Sequence, residues 1–274
     1  LAYAGRYDEV DAALSAASLH TVCREAKCPN RSECFSSGTA TFLVMGPVCT
    51  RACRFCGVSH GEPEPLDKDE PGRVCAAAAA MGITHAVVTS VTRDDLPDGG
   101  ASHFAEIIRL FRERLPRVTV EVLVPDFRGS IPAMETVLAA GPHVFNHNIE
   151  TVPRLYPAIR PQALYRRSLE ILAKAARSGV ELKIKSGLMV GLGETPDEVM
   201  ETLRDIHESG CRLMTIGQYL RPSKEQAPVA EFVAPERFDG YRTRALAMGF
   251  ASVQAGPFVR SSYKAETMMT RHML

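Results

Sequence analysis

The chain has 274 residues, with 32 basic and 32 acidic side chains, eight cysteines and no tryptophan. That length buries a large core, and 45% hydrophobic with 23% charged content excludes a disordered or collagen-like chain. Zero net charge argues against broad nucleic-acid binding, which needs a basic face, and the longest weakly polar run, the alanine-rich 74–83, is too short to span a bilayer. The chain starts at Leu1 without a charged-then-apolar leader, so no secretory signal is expected, and the missing initiator Met suggests a processed or trimmed start.

Six of the eight cysteines lie between Cys23 and Cys56. Disulfide frameworks belong to small secreted domains, so clustering in a chain of this size points to metal or redox chemistry. Cys75, in an alanine-rich helix, and Cys211, just past a helix-ending Gly, are expected to be small core residues.

From about residue 40, short β-rich runs alternate with amphipathic helical segments. Strands are expected at Thr41–Met45, Thr84–Ser90, Val118–Val124, Val144–Glu150, Leu182–Val190 and Leu213–Leu220, most of them rich in Val, Ile, Leu or Thr. Helices are expected over Asp67–Met81, around Phe104, Ile107, Ile108, Phe111 and Leu115, over Pro132–Ala140 and over Pro161–Ser178. Thr195-Pro196-Asp197-Glu198 is a capping box with Pro at the first helical position and Gly210 as the stop; Pro235–Met248 closes the series. Six βα units favour a parallel sheet and fall short of the usual eight, so the fold class is α/β, a partial (β/α)6 TIM-type barrel with N-terminal and C-terminal extensions. The expected organisation is residues 1–40 as the N-terminal extension, 41–249 as the barrel and 250–274 as the C-terminal extension. Ligands gather at the C-terminal ends of such strands, where 49–56, 92–100, 125–129, 146–150, 191–194 and 218–223 converge.

Cys49-Thr-Arg-Ala-Cys53-Arg-Phe-Cys56 follows the first of these strands. Three thiolates at spacings of four and three hold three corners of a four-iron cube and leave one iron open. Arg51 and Arg54 are placed to offset the thiolate charge, within a stretch from 20 to 60 that carries five Lys or Arg against two Glu. The alternative is a zinc knuckle or dithiol on Cys53 and Cys56, with only His60 nearby as a further ligand. The triplet resembles the C-x3-C-x-aromatic-C signature of the radical S-adenosylmethionine (SAM) superfamily, with Phe55 at the aromatic position. The resemblance implies that SAM chelates the open iron and is cleaved to methionine and a 5′-deoxyadenosyl radical.

A second triplet, Cys23-x4-Cys28-x5-Cys34, precedes the barrel; read alone, it is a further structural metal site. Two triplets in this order, followed by Thr-Ser-Val-Thr-Arg-Asp-Asp-Leu (89–96), Pro-Asp-Phe (125–127), Phe-Asn-His-Asn-Ile-Glu-Thr-Val (145–152), Lys-Ser-Gly-Leu-Met (185–189), Gly-Leu-Gly-Glu-Thr (191–195), Gly-Gln-Tyr-Leu (217–220) and Gly-Pro-Phe-Val-Arg-Ser-Ser-Tyr (256–263), resemble the lipoyl synthase family from about residue 19 to 265. The resemblance implies two [4Fe-4S] clusters: one on Cys49, Cys53 and Cys56 for SAM, and an auxiliary one carried by the extensions, on Cys23, Cys28, Cys34 and the tail serine Ser262, whose neighbour Ser261 is the other possibility. Serine is a harder, weaker ligand for iron than thiolate, as a cluster to be dismantled requires.

It further implies a sulfurtransferase that inserts two sulfur atoms at carbons six and eight of a protein-bound octanoyl-lysine. Side-chain acid–base catalysis cannot break such unactivated carbon–hydrogen bonds, and a cofactor radical can. The implied partners are an octanoylated lipoyl carrier domain (a dehydrogenase-complex acyltransferase subunit or the glycine-cleavage H protein), a low-potential electron donor such as ferredoxin or flavodoxin, and an iron–sulfur carrier for cluster repair, with no nucleic acid and no membrane. The implied place is the bacterial cytoplasm, or an organelle matrix if a targeting segment was removed.

For SAM itself, Gly99-Gly100 resembles the superfamily's glycine motif, or is simply a loop into a helix. Strand alternation puts Asn146, Asn148 and Glu150 on one face, with Asn148 and Glu150 toward the ribose. Arg167 pairs either with the SAM carboxylate or within a structural salt bridge. Gly191 and Gly193 lack the residues of a phosphate loop and are read as backbone packed on adenine. His147 is expected to be a hydrogen-bonded core residue, and Met189, Met268 and Met269 packing residues. Two other classes remain at this point: another radical SAM enzyme such as a methylthiotransferase, which should lack the Ser262 tail, and an electron carrier, which needs neither the barrel nor an open site.

Overall fold

A computed structural model describes residues 2–270; residue 1 and residues 271–274, the outer ends of the two expected extensions, lie outside it. The chain divides into two compact units, one running to Arg51 and resuming over Gly57–Val144, the other made of Ala52–Cys56 and the chain from Phe145 onward.

The first unit opens with α1 (Ala2–Ala16), β1 (His20–Thr21), α2 (Val22–Glu25) and α3 (Arg31–Ser36). Tyr7 of α1 packs its ring 5.3 Å from that of the buried Phe35, and the Thr21 hydroxyl caps α2 by accepting from the Arg24 amide. β2 (Thr41–Val44) pairs antiparallel with β1 through His20↔Leu43 and Thr21↔Phe42. β3 (Val48–Cys49) and β4 (Ser59–His60) form a short parallel pair, followed by α4 (Glu70–Ala80), β5 (His85–Ser90), α5 (Ala101–Arg114), β6 (Thr119–Leu123) and α6 (Ile131–Ala139). β2, β5 and β6 are parallel neighbours, with Phe42 beside Val88 and Val88 beside Val122, all fully buried. On α5 the expected apolar face is the one buried: Phe104, Ile107, Ile108 and Phe111 have no exposure, and each such side chain contributes about 1.5–3 kcal/mol.

The second unit takes β7 (Val144–Asn146, of which Phe145 and Asn146 belong here), α7 (Tyr156–Ile159), α8 (Tyr165–Ala176), β8 (Lys183–Val190), α9 (Pro196–Glu208), β9 (Leu213–Gln218), α10 (Pro235–Ala247), β10 (Ser252–Gly256) and α11 (Ala265–Thr270). Its strands follow the order β7-β8-β9-β10, and β8, β9 and β10 run parallel with Leu188↔Ile216 and Val253↔Met214 in register. Among the described residues no helix is long and apolar enough to cross a membrane.

All six expected strands and six expected helices are present, with three differences. The strand expected over 144–150 stops at Asn146, and residues 147–150 track β8 as a loop: the His147 amide donates to the Lys185 carbonyl, and those of Ile149 and Glu150 to the Gly187 carbonyl. Glu150 then turns left-handed, at φ 70°, which ends any strand alternation. The helix expected over 161–178 begins later, at Tyr165: Pro161 and Gln162 form a turn and Leu164 is extended at φ −121°, so α8 starts only after it, while a short α7 that was not expected ends before Arg160, which precedes a proline. Past residue 249, where an extension was expected to begin, β10 adds a parallel strand; Ser-Val-Gln-Ala-Gly offers one β-branched residue and little apolar signal.

The start of α9 joins local sequence to tertiary structure. Thr195 and Glu198 form the reciprocal capping box, and Arg154 grips the same carboxylate at 2.7 and 2.9 Å. The Arg154 hydrogen bond, then the Thr195 amide, hold the Glu198 carboxyl down at about 2. A depressed carboxyl adds stability that is present above its ordinary value near 4.5 and lost as pH falls through about 2. Glu198→Gln should therefore lower the melting temperature at pH 7 by about 2–4 °C, the effect of roughly 1 kcal/mol, and the difference should vanish near pH 2. A difference of equal size at both pH values would contradict this account of the cap.

Candidate functional site

The loop carrying Cys49, Cys53 and Cys56 is anchored within each unit. In the first, Cys49 ends β3, and its Sγ receives the amide of Thr92 at 3.2 Å and that of Arg51 at 3.4 Å. These two amides fix the position of the sulfur at the end of β3. Arg51 does not offset the thiolates as its position in the sequence suggested, because its guanidinium is already engaged. Nε and Nη2 reach the two oxygens of Asp94 at 2.6 and 2.9 Å, and Nη2 also reaches Asp126 Oδ1 at 2.7 Å. Burial alone would lower the Arg51 guanidinium, but the hydrogen bonds and charges of Asp94 and Asp126 outweigh it and hold it above its ordinary value. The Thr50 hydroxyl donates to the Thr92 carbonyl, and the Asp94 amide donates to the Thr50 hydroxyl. Arg93, almost fully buried, pairs with Asp95 and donates to the Met45 carbonyl at 3.2 Å.

In the second unit, residues 52–56 are stitched down at both ends. The Ala52 amide donates to Gln162, the Arg54 amide to the Ile159 carbonyl at 2.9 Å, and the Ala227 amide to the Arg54 carbonyl at 2.7 Å. Phe55 packs against Ile159, Leu192, Tyr219 and Ala227, so this aromatic position seats the loop on an apolar cluster. Cys53 and Cys56 are half-buried, with the Cys56 amide bonded to the Cys53 carbonyl at 3.0 Å.

The triplet of Cys23, Cys28 and Cys34 lies wholly within the first unit. Cys23 lies buried in α2, Cys28 in the turn that follows, and Cys34 in α3. Burial pushes the Cys23 thiol up to about 11, against a backbone hydrogen bond from Thr41 and with the charge of Cys28 adding to it. Burial likewise pushes Cys34 up to about 12, and the charges of Cys23 and Cys28 add to that. The charge of Cys28 acts on Cys23, and the charges of both act on Cys34, so the three sulfurs lie within electrostatic reach of one another. None of the eight cysteines is in a disulfide; the remaining two are core residues, Cys75 donating to the Leu110 carbonyl and Cys211 to those of Ile184 and Leu213. Among the described residues no three potential ligands are drawn close enough for a single metal ion, and a cube of four irons spreads its ligands further apart than one zinc does.

The loop 146–150 and the tail meet inside the second unit. Asn148 Nδ2 donates to Ser261 Oγ at 2.6 Å and to Glu150 Oε1 at 3.1 Å, while Asn148 Oδ1 is buried and accepts no hydrogen bond. Burial pushes the Glu150 carboxyl up, opposed by the Arg160 charge and the Asn148 amide. Arg160 Nη1 holds the carbonyls of Asn148 and Ile149, each at 3.1 Å, and stacks on Tyr156. Arg160 went unnoticed in the sequence; its one signal was its place before Pro161. Arg167, the arginine singled out there, sits half-buried in the first turn of α8. Ser262 is half-buried in the Arg260–Tyr263 turn, next to the bonded Ser261. His147 is a core residue bonded to Ser168 at 3.0 Å.

Of the expected glycines, Gly99, Gly100 and Gly191 are explained by the chain's own close approaches and Gly193 by its backbone conformation. Gly100, at φ 87°, caps α5, and a Cβ there would stand 2.2 Å from Met45 Sδ; one on Gly99 would meet Phe127 at 3.1 Å. A Cβ on Gly191 would stand 2.2 Å from Gln218 Nε2 and 2.5 Å from the Glu231 carbonyl, while the amides of Gly191 and Leu192 are taken by the Glu194 carboxylate. Gly193 carries a left-handed turn at φ 106°.

The sequence profile of the Radical SAM superfamily matches residues 43–206, more than half of the chain. Two solved structures share the fold: methylornithine synthase (PylB), with a TM-score of 0.57 at 14% identity over 77% of this chain and 63% of that one, and the hydrogenase maturase HydG, with 0.61 at 15% identity over 84% and 54%. Fold and profile together define a radical SAM protein built as a partial (β/α)6 TIM-type barrel.

Similarity to lipoyl synthases extends over nearly the whole chain. That of Caldanaerobacter subterraneus subsp. tengcongensis is 55% identical over 259 residues, covering 94% of this chain and 91% of the relative. That of Rubrobacter xylanophilus is 54% identical, covering 94% and 81%. The chain belongs to the lipoyl synthase family, and with that family come [4Fe-4S] clusters and SAM. The donor set fits these groups: six cysteine thiols in two triplets, two amides aimed at Cys49 Sγ, and a buried acceptor on Asn148.

Removing Arg51 leaves Asp126, whose side chain has no exposure, without its guanidinium. Arg51→Leu should destabilise the metal-free chain by about 3 kcal/mol or more in chemical denaturation, and Asp126→Asn by less, since its amide still accepts from Arg51. Unchanged denaturation of Arg51→Leu would show that the clamp does not hold the loop.

Proposed function

We propose that the six clustered cysteines divide between two [4Fe-4S] clusters, Cys49, Cys53 and Cys56 holding the one that binds SAM, and Cys23, Cys28, Cys34 and Ser262 holding the auxiliary one. The observation that carries this division is the pair of cysteine triplets in a chain of this family. The chain acts as a sulfurtransferase, inserting sulfur at carbons six and eight of an octanoyl group amide-linked to a lysine of a lipoyl carrier protein. When bound, SAM and the clusters supply the hydrogen-atom abstraction and the sulfur atoms.

The chain's own residues position and shield that chemistry. The amides of Thr92 and Arg51 hold the Cys49 sulfur in place for metal, and Phe55 seats the Cys53–Cys56 segment on its apolar cluster. Asn148 and Glu150 are assigned to the SAM ribose: Asn148 Oδ1 offers an acceptor for a hydroxyl, and a Glu150 carboxyl raised by burial gains from a donor or cation beside it. Gly99, Gly100, Gly191 and Gly193 shape the strand-end loops around the co-substrate, and Arg167 is assigned to its carboxylate. Residues 1–40 and 250–274 serve as the extensions that bring the auxiliary ligands to the barrel of 41–249. The carrier is a dehydrogenase-complex acyltransferase subunit or the glycine-cleavage H protein. A ferredoxin or flavodoxin supplies electrons, an iron–sulfur carrier repairs the auxiliary cluster, and the reaction runs in the bacterial cytoplasm.

Anaerobic reconstitution tests the division directly. Replacing either cysteine triplet with alanine should remove half of the bound iron and sulfide, and the unchanged chain should convert an octanoyl-lysine peptide to its lipoyl form with SAM. Loss of all iron from the Cys23, Cys28 and Cys34 variant, or release of 5′-deoxyadenosine without sulfur insertion by the unchanged chain, would overturn the proposal.

A further inference from the structure

Two motifs of the second unit, Lys-Ser-Gly-Leu-Met (185–189) and Gly-Gln-Tyr-Leu (217–220), have so far been given no role of their own. Their glycines sit on neighbouring strands, Gly187 in β8 and Gly217 in β9, and both lie under the tail. A Cβ on Gly217 would stand 2.1 Å from the Val259 carbonyl oxygen and 3.2 Å from Arg260 Nη1. On Gly187 it would stand 2.7 Å from Asn148 Oδ1 and 2.9 Å from both Ser261 Oγ and Thr215 Oγ1. No positive φ is involved at either position, so the backbone itself admits alanine; what excludes a side chain is the tail and the groups around it.

The tail is shaped by local hydrogen bonds and tied to this seat by one bond from the 146–150 loop. The Val259 amide donates to the Gly256 carbonyl, Arg260 Nη1 bonds the Val259 carbonyl at 2.6 Å, and Asn148 Nδ2 donates to Ser261 Oγ at 2.6 Å. Asn148 is itself fixed, since Arg160 holds its carbonyl. The hydroxyl of Ser261 is thus an acceptor within a hydrogen bond inside the protein, and Ser262 is the next residue along the chain.

We infer that Gly187, Gly217, Asn148 and Ser261 form a seat and latch for the C-terminal tail, in which Ser261 is a positioning residue that fixes Ser262 and is not itself an iron ligand. The inference rests on the assignment of Ser262 to the auxiliary cluster. It gives the paired serines different tasks: the first is tied to the barrel so that the second is presented to metal. The geometry needs both parts, because the glycine seat admits the tail backbone and the Asn148–Ser261 bond sets its register.

The test uses the full chain in two states. In the metal-free chain, Ser261→Ala should speed hydrogen exchange of the amides at 257–264 by about five- to tenfold, the effect of one lost hydrogen bond. Gly217→Ala should speed it further, because the atom it meets is backbone and cannot swing aside. In the chain reconstituted with iron-57, Mössbauer spectra should show, besides the open iron of the SAM cluster, one further iron unlike the thiolate-ligated rest. Ser262→Ala should abolish that signal, and Ser261→Ala should reduce its share by at least half with iron content unchanged.

Unchanged exchange in both tail variants would overturn the latch, whatever the iron shows. A signal lost in Ser262→Ala but untouched in Ser261→Ala would leave the cluster assignment standing and overturn the positioning role. A signal abolished by Ser261→Ala and untouched in Ser262→Ala would make Ser261 the ligand and overturn both.

Discussion

The Arg51 guanidinium, gripped by Asp94 and Asp126 inside the first unit, ties together the loops that follow three successive parallel strands. Such a buried cation is stable only when its geometry is good and its donors are satisfied, and three hydrogen bonds of 2.6–2.9 Å meet that condition. The constraint reaches the chemistry through the backbone: with Arg51 fixed, its amide and that of Thr92 both point at Cys49 Sγ. The motifs that contain Asp94 and Asp126 therefore act by holding a loop in place. Arg93, pinned to Asp95 and to the Met45 carbonyl, extends the same bracing to the turn that opens the cysteine loop.

A comparable economy operates in the second unit. Asn148 takes part in three relations at once: its carbonyl is held by Arg160, its amide nitrogen bonds the tail, and its amide oxygen remains for a ligand. Residues far apart in sequence meet at this side chain, and the absence of a side chain at Gly187 and Gly217 makes the meeting possible. On the proposed assignment of Asn148 to SAM and Ser262 to the auxiliary cluster, this meeting would suit an enzyme that must bring hydrogen abstraction and sulfur transfer to the same substrate carbon.

The elements that were legible in the sequence are those whose signal is local. The apolar positions of α5 are a helical stripe in the sequence and a buried stripe in the fold, and the Thr195–Glu198 box caps α9 as its spacing predicts. The cysteine triplets stand out in the sequence because their spacing is itself a local pattern. What escaped depends on distant partners. Arg51 was taken as a counter-charge to thiolates because Asp94 and Asp126 lie 43 and 75 residues away. β10 carries too little apolar signal to declare itself, and it forms because β9 offers an edge. Strand alternation was extended through Glu150, where a left-handed residue redirects the loop; Asn148 and Glu150 meet all the same, through a side-chain bond in place of a shared strand face.

Two triplets with separate tasks are the central claim, and product analysis of the auxiliary variant tests it most directly. A chain with Cys23, Cys28 and Cys34 replaced by alanine, reconstituted and supplied with SAM, reductant and an octanoyl-lysine peptide, should still release 5′-deoxyadenosine and deliver no sulfur to the peptide. Lipoyl product from that variant, or loss of SAM cleavage with the Cys49, Cys53 and Cys56 cluster intact, would contradict the account.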